Sequence, residues 1–390
     1  DENYYSKTYT NTHYDKLDWS MSLKPIKDLD ITITANRIQT RNKSQQIDPV
    51  KDFTERSDGN YDGTNENGDS YVQLLETTQL SEISNFNMSY SMFKTSFDGN
   101  GDDTFQEFLA NRSVIQARLA AESGLPIENY SENSQDVLLP AFTSAYSGGS
   151  ASSEKLSPFR DVPLPNWRLS YKGFMKIKWF KKNLSNFTVT HAYNSSYTIG
   201  NMSNNVQYTK DVNNAPPIIN GSYISKVIVS TIALSDGFSP LVKIDMKLKN
   251  SLSFRGEMNK DRMMALSFNN NSMSDIRGTE YVFGLGYIIK DLKLRSSSGR
   301  RKALKGNLNM KADISYRQNL TTIRTIDTGN TQVTGGQNIF SLKMSADYNL
   351  NKNLIATFYY DQSASRYAIS TSFPRQSVSS GISITYNLGN

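Results

Sequence analysis

The oxygen donors best placed to do chemistry in this 390-residue chain lie in one short run, "SDGNYDGTNENGDS". It sets Asp58, Asn60, Asp62, Gly63, Thr64 and Asp69 at the first, third, fifth, sixth, seventh and twelfth places of a calcium loop. Calcium takes about six to eight oxygens around a tight turn, and glycine in sixth place permits that turn. The closing residue is Asp where a bidentate Glu is usual, and neither flank has a helical pattern. The run therefore reads either as a calcium site held by Asp58, Asn60, Asp62, Thr64 and Asp69 or as a turn-rich surface loop. "DGNGDD", residues 98–103, is a fainter version of the pattern.

The remaining repertoire is thin. His13 and His191 are the only histidines, they are far apart in the chain, and cysteine is absent. That removes disulfides, thiol nucleophiles and thiolate metal sites together. There is no Gly-rich loop followed by Lys-Ser/Thr, no G-x-S-x-G, and no carboxylate pair that stands out. Enzymatic activity is not expected, nor any cofactor beyond calcium at the acidic loop. The run "KLRSSSGRRKALK" gathers Lys293, Arg295, Arg300, Arg301, Lys302 and Lys305, which suits lipid phosphates, an acidic partner or simply a solvated loop. Elsewhere 43 basic and 37 acidic residues are interspersed for a net charge of +6, with no basic stripe of the kind that tracks nucleic acid.

The elements that would carry these residues alternate with period two. In "EYVFGLGYIIKD", Tyr281, Phe283, Leu285, Tyr287 and Ile289 share one face while Val282, Gly284, Gly286 and Ile288 share the other. A half-buried strand in a soluble sheet sets charged or polar residues opposite its apolar face. Here the opposite face is merely small. The end of the chain, "SVSSGISITYNLGN", repeats the arrangement with Val378, Ser380, Ile382, Ile384, Tyr386 and Leu388 against Ser379, Gly381, Ser383, Thr385 and Asn387. The average composition is polar, with 37% hydrophobic residues and a mean hydropathy of −0.55. No window approaches the roughly 18 apolar residues of a membrane-spanning helix. A polar average with alternating apolar residues fits an all-β fold, a transmembrane antiparallel β-barrel, whose strands show one face to lipid and the other to a wet or protein-filled lumen. On that expectation Tyr281, Phe283, Leu285, Tyr287, Ile382, Ile384, Tyr386 and Leu388 face lipid. Gly284, Gly286, Ser379, Gly381 and Ser383 face the interior, the glycines implying close approach by another surface such as a plug or cargo.

About a dozen strands are expected: residues 17–23, 29–38, 86–93, 167–176, 187–199, 223–234, 241–249, 253–271, 280–291, 304–316 with a polar extension, 340–350, 354–360 and 377–388. Between residues 97 and 165 the period becomes helical. Phe105, Phe108, Leu109, Ile115 and Leu119 predict a helix over 104–123, opened by a capping box of Asp103 and Gln106 and closed at Gly124. That helix is a plug, cap or docking element, or packs on its own loop. Three regions follow: strands and a long polar loop in 1–97, a helix-containing insertion in 98–165 (helical near 98–145), and C-terminal strands in 166–390. The opening "DENYYSKTYT" has no features of a secretory signal, which predicts a mature product or a fragment.

"PLPNWRLSYKGF", residues 163–174, runs on into "KWFKKNLSNFTVTHAYNSSYTIG". Together with "GFSPLVKIDMKLKNSLSF", "ADISYRQNLTTIRTI" and "SADYNLNKNLIATFYYDQ", it resembles the SprA (Sov) family, the outer-membrane translocons of the type IX secretion system. The resemblance spans most of the chain, and Pro165, Asn166, Trp167, Arg168 and Tyr171 carry its most distinctive motif. It implies a location in the Gram-negative outer membrane and a protein-conducting β-barrel of unusual width, of which this chain is the C-terminal arc. Such a channel exports folded cargo with C-terminal signal domains, in type IX secretion and gliding motility. The implied partners are the N-terminal remainder of the same translocon, shuttle or plug proteins, lipoproteins, periplasmic motor components, secreted cargo and outer-membrane lipid, with no nucleic acid. The alternative expectation is a stand-alone porin or hydrophobic-substrate channel of about 12–14 strands.

Overall fold

Long runs of alternating residues, rich in Thr, Ile, Tyr and Phe, give strands far longer than a membrane crossing requires. The computed structural model describes residues 7–49, 75–77, 80–208, 215–294, 304–349, 353–369 and 373–386. The calcium-like residues Asp58, Asn60, Asp62, Thr64 and Asp69, together with Leu388 and residues 295–303 of the basic run, lie outside the described residues.

The elements are β1 (Lys7–Ile26), β2 (Leu29–Pro49), β3 (Leu75–Thr77), β4 (Ser81–Met88), α1 (Asp102–Ser123), α2 (Gln135–Ser147), β5 (Asn166–Tyr171), α3 (Lys178–Asn183) and β6 (Leu184–Asn204). They continue with β7 (Ile218–Ile219), β8 (Ser222–Tyr223), β9 (Val227–Leu248), β10 (Leu252–Ser267), β11 (Ser272–Leu294), β12 (Leu304–Thr325), β13 (Thr331–Asn349), β14 (Leu354–Tyr367) and β15 (Arg375–Tyr386). Thirteen strands form one antiparallel sheet along the path β1-β2-β4-β6-β9-β10-β11-β12-β13-β14-β15, with β3 beside β2 and β5 between β2 and β6. β7 and β8 form a separate small hairpin.

The sequence expectation divided β9 into two strands, 223–234 and 241–249. The two halves are one strand, because an irregularity opposite Met258 and Lys260 absorbs the extra residues and pairing with β10 resumes on the same face. β11 likewise begins at Ser272, well ahead of the expected start. β12 runs on to Thr325 through its polar extension.

β4 and β5 occupy a single position in the sheet. β4 pairs with the upper part of β2 (Arg37 opposite Met88), β5 with its lower part (Ile33 opposite Trp167), and both pair with β6. Residues 89–165, which include the helix-containing insertion expected over 98–165, are therefore spliced into the middle of a strand position. The long connections 50–80 and 205–226 leave from the upper end. The turn at 249–251 and the β13–β14 connection lie at the lower end, where β15 also finishes opposite Leu354.

Helix α1 ends at Gly124, whose left-handed conformation (φ 69°) closes it as expected, but its start differs. Gly101 is the N-cap and no side chain caps the helix. The Asp103–Gln106 box does not form, because Asp103 already sits inside the first turn, where with Asp102 it complements the helix dipole. α2 falls mostly within the region expected to be helical near 98–145, but no separate helix was delimited there. Val137 to Tyr146 are all buried, so it lacks an amphipathic stripe. The two helices pack on each other and on the upper sheet, where Phe105, Phe108 and Phe142 meet Phe86, Tyr197, Leu234, Met264 and Met273 in one core. Each buried Phe contributes about 1.5–3 kcal/mol.

Candidate functional site

The register shows what each face of the sheet does. No shift interrupts β10–β11 pairing, so Met273, Asp275, Arg277, Thr279, Tyr281, Phe283, Leu285 and Tyr287 share one face. Its upper part lies under α1 and α2, and its lower part is bare. There Phe254, Leu285, Ala312, Met344 and Tyr360 form one transverse row. Tyr287, Met310, Ala346, Phe358 and Ile382 form the next. Tyr281 is 52% exposed and Ile382 is 75% exposed. From Tyr281 to Ile289 the strand covers about 27 Å at 3.4 Å per residue. At a tilt near 40° that is about 20 Å of height, close to the apolar band of an outer-membrane barrel. Soluble surfaces rarely present a continuous apolar patch this large, and here it directly continues a protein core.

The opposite face is polar. Arg255, Gly284, Asp313, Lys343, Asp361 and Ser379 form one row across six strands. Gly286, Lys311, Ser345, Tyr359 and Gly381 form the next, and Ser383 lies opposite Thr357 on this face. Gly284 and Gly286 line a groove of about 400 Å³ with Asp245, Ser253, Arg255, Lys311 and Asp313. A Cβ on Gly284 would sit 2.5 Å from Asp313 Oδ1, and one on Gly286 2.5 Å from Ser253 Oγ. Within this chain the close approach that these glycines permit is by side chains of neighbouring strands. Arg255 Nη2 donates to Asp313 Oδ1 at 3.0 Å across Gly284.

At the join between helix-covered core and bare band lies an arginine clasp. Arg262 donates through Nε to Asp236 Oδ1 (2.8 Å), through Nη1 to the Thr95 carbonyl (2.8 Å) and through Nη2 to Thr95 Oγ1 (3.1 Å). Arg277 donates to Asp98 Oδ1 and the Gly99 carbonyl, both at 2.6 Å, and to Asp275. Arg324 donates to the Asn100 carbonyl (2.7 Å) and Asp102 Oδ1 (2.5 Å), with its guanidinium 5.2 Å from the Phe105 ring centre. Planar forks suit such multidentate contacts with carboxylates and carbonyls. The "DGNGDD" run is therefore the segment that three arginines hold, and among the described residues no His/Asp/Glu group is arranged to hold a metal. These residues were missed in the sequence, although Asp275 and Arg277 stand in phase with Tyr281 where a purely apolar face would not place charge. The insertion lies on the face that carries the aromatic band, so a plug on the polar face is excluded for it.

Burial alone would raise the Asp98 carboxyl, but the hydrogen bonds and charge of Arg277, with Arg262 and Thr104, hold it below the usual range. A depressed folded value stabilises the clasp above the ordinary aspartate range of about 4, and the contribution is lost as pH falls through the folded value. Amide protection over residues 93–123, taken relative to the intrinsic exchange rate at each pH, should fall on acidification below about pH 4. In Asp98→Asn it should already be low at neutral pH, and an unchanged profile in that variant would refute the assignment.

In the PNW motif, Pro165 is exposed and leads into β5. Asn166 joins strands by accepting from the Ser195 amide (2.8 Å), and Trp167 stacks on Tyr193 with ring centres 4.6 Å apart. Arg168 lies on the polar face and Tyr171 edges onto Phe174. His13 pairs with Asp15 at the surface (3.0 Å), while His191 Nδ1 contacts the Leu241 carbonyl (2.7 Å). The two histidines are not brought together.

No family model matches the chain. No curated relative matches it either. Among solved structures it is similar to the in-vitro folded, trimer form of OmpT, an outer membrane protein of Vibrio cholerae. The identity is 8% and the TM-score 0.22, over 97% of this chain and 99% of that one.

Proposed function

We propose that this chain forms an arc of the wall of a large outer-membrane β-barrel channel that conducts protein, as in the type IX secretion translocon it resembles. The observation that carries the reading is the pair of open edges. Among the described residues β1 hydrogen-bonds only to β2, and β15 only to β14. With the apolar band in hydrocarbon, an open edge would leave N–H and C=O groups unpaired at several kcal/mol each. Strands from outside this arc must complete the wall, or one edge must border a protected lateral gap. The lower end, with β15's end, is periplasmic, and the insertion and long upper connections are extracellular, following the usual disposition of short turns and long loops. Exported cargo with C-terminal signal domains, lipoproteins, shuttle or plug proteins and periplasmic motor components are the partners of this reading. The chain itself performs no catalytic step in it.

Cysteine pairs test it cleanly because the chain has no native cysteine. Trp19→Cys with Ala35→Cys, opposite each other on β1 and β2, should cross-link readily. A panel of pairs along β1 and β15 should give no cross-link within one chain. Efficient β1–β15 cross-linking would replace the translocon with a closed porin.

A further inference from the structure

At the lower end of the apolar face, the link from β5 to β6 does not turn tightly. It forms a single 3-10 turn, Gly173–Lys176, and then α3, and its side chains divide into two sets. Phe180 stacks on Phe174 (6.0 Å) and edges onto Phe187 (4.8 Å), and Tyr171 edges onto Phe174 (5.1 Å), so one set seals the foot of the band. A Cβ at Gly173 would run into the Tyr171 ring, which is why glycine begins the turn. The other set points away: Ile177 is 50% exposed, Trp179 is 61% exposed, and Lys178, Lys181 and Lys182 are exposed and make no ion pair with any described residue. Lys176, by contrast, is held by Asp28.

We infer that α3 is an interfacial anchor, whose Trp179 and Ile177 enter the boundary of the leaflet at the short-turn end while Lys178, Lys181 and Lys182 bind anionic phospholipid headgroups there. The inference rests on the membrane reading of the apolar face. An amphipathic aromatic ring beside unpaired lysines, at the edge of a lipid-facing band, matches both components of that boundary. Charge complementarity selects the anionic headgroup, and continuity with the band through Phe187 and Val189 places the segment at its depth.

The test uses the assembled barrel that contains this chain, in bilayers of phosphatidylcholine and phosphatidylglycerol, with one bimane label on a cysteine introduced into this chain, quenched competitively by brominated versions of each lipid. At Ile177→Cys, phosphatidylglycerol should be preferred by about fivefold or more, the effect of about 1 kcal/mol for one lysine near an anionic surface. Lys178→Gln/Lys181→Gln/Lys182→Gln should reduce that preference to the value at Ile382→Cys, a bare position on β15. Equal quenching by the two lipids at Ile177→Cys, or a preference that survives the triple substitution, would overturn the anchor. Strong quenching at Ile382→Cys without any at Ile177→Cys defeats the anchor alone. Failure at both positions defeats the membrane reading and the anchor with it.

Discussion

Leu285→Arg should cost the assembled barrel about 2–4 kcal/mol, the penalty for a cation near the middle of a lipid-facing strand. Leu285 sits between Phe254 and Ala312 in the bare apolar row, with no polar side chain among these partners to take a guanidinium. Ser341→Arg provides the comparison. Ser341 pairs with Ser315 and Ser363 on the polar face, where a long cation reaches water, and the cost should stay within about 0.5 kcal/mol. Urea unfolding in lipid vesicles and the level of folded protein in outer membranes both measure the difference. Equal losses would mean that neither face meets hydrocarbon, and a larger loss for Ser341→Arg would exchange the assignments of the two faces.

The face assignment was legible because period two is a local property: Tyr281, Phe283, Leu285 and Tyr287 declare a common side whatever their strand pairs with. α1 was legible for a similar reason, since Phe105, Phe108 and Ile115 recur at helical spacing and Gly124 is a local stop. What stayed hidden depends on partners far away in the chain. α2 is buried all round and so has no periodicity to read. The collinearity of β4 and β5 exists only through their shared neighbours β2 and β6. The side that Gly284 shares with Gly286 was legible, but its crossing by Arg255 and Asp313 was not, because that is set by pairing of β10, β11 and β12. Arg262 and Thr95, 167 positions apart, meet for the same reason.

Arg262→Ala should release the insertion from the sheet while leaving the lower strands intact. The Asp236 side chain is only 2% exposed, and once Arg262 is truncated its remaining side-chain partner is Ser96. Breaking a buried pair by removing one partner costs about 3–5 kcal/mol, much of it the desolvation of the charge left behind. The loss falls on the segment from Thr95 to Asp98, because that segment supplies the carbonyl, hydroxyl and carboxylate that the guanidinium holds. Amide exchange over residues 93–123 should therefore rise by about two to four orders of magnitude, what about 3–5 kcal/mol implies, with little change in β12–β14. Arg262→Lys should recover part of the protection, keeping the charge without the planar fork. Combining Arg262→Ala with Asp236→Asn should cost less than the two singles added together, since the orphaned charge is then gone. Strict additivity would show that the two side chains do not act as a pair, and unchanged exchange over 93–123 would show that the helices are held by their apolar core alone.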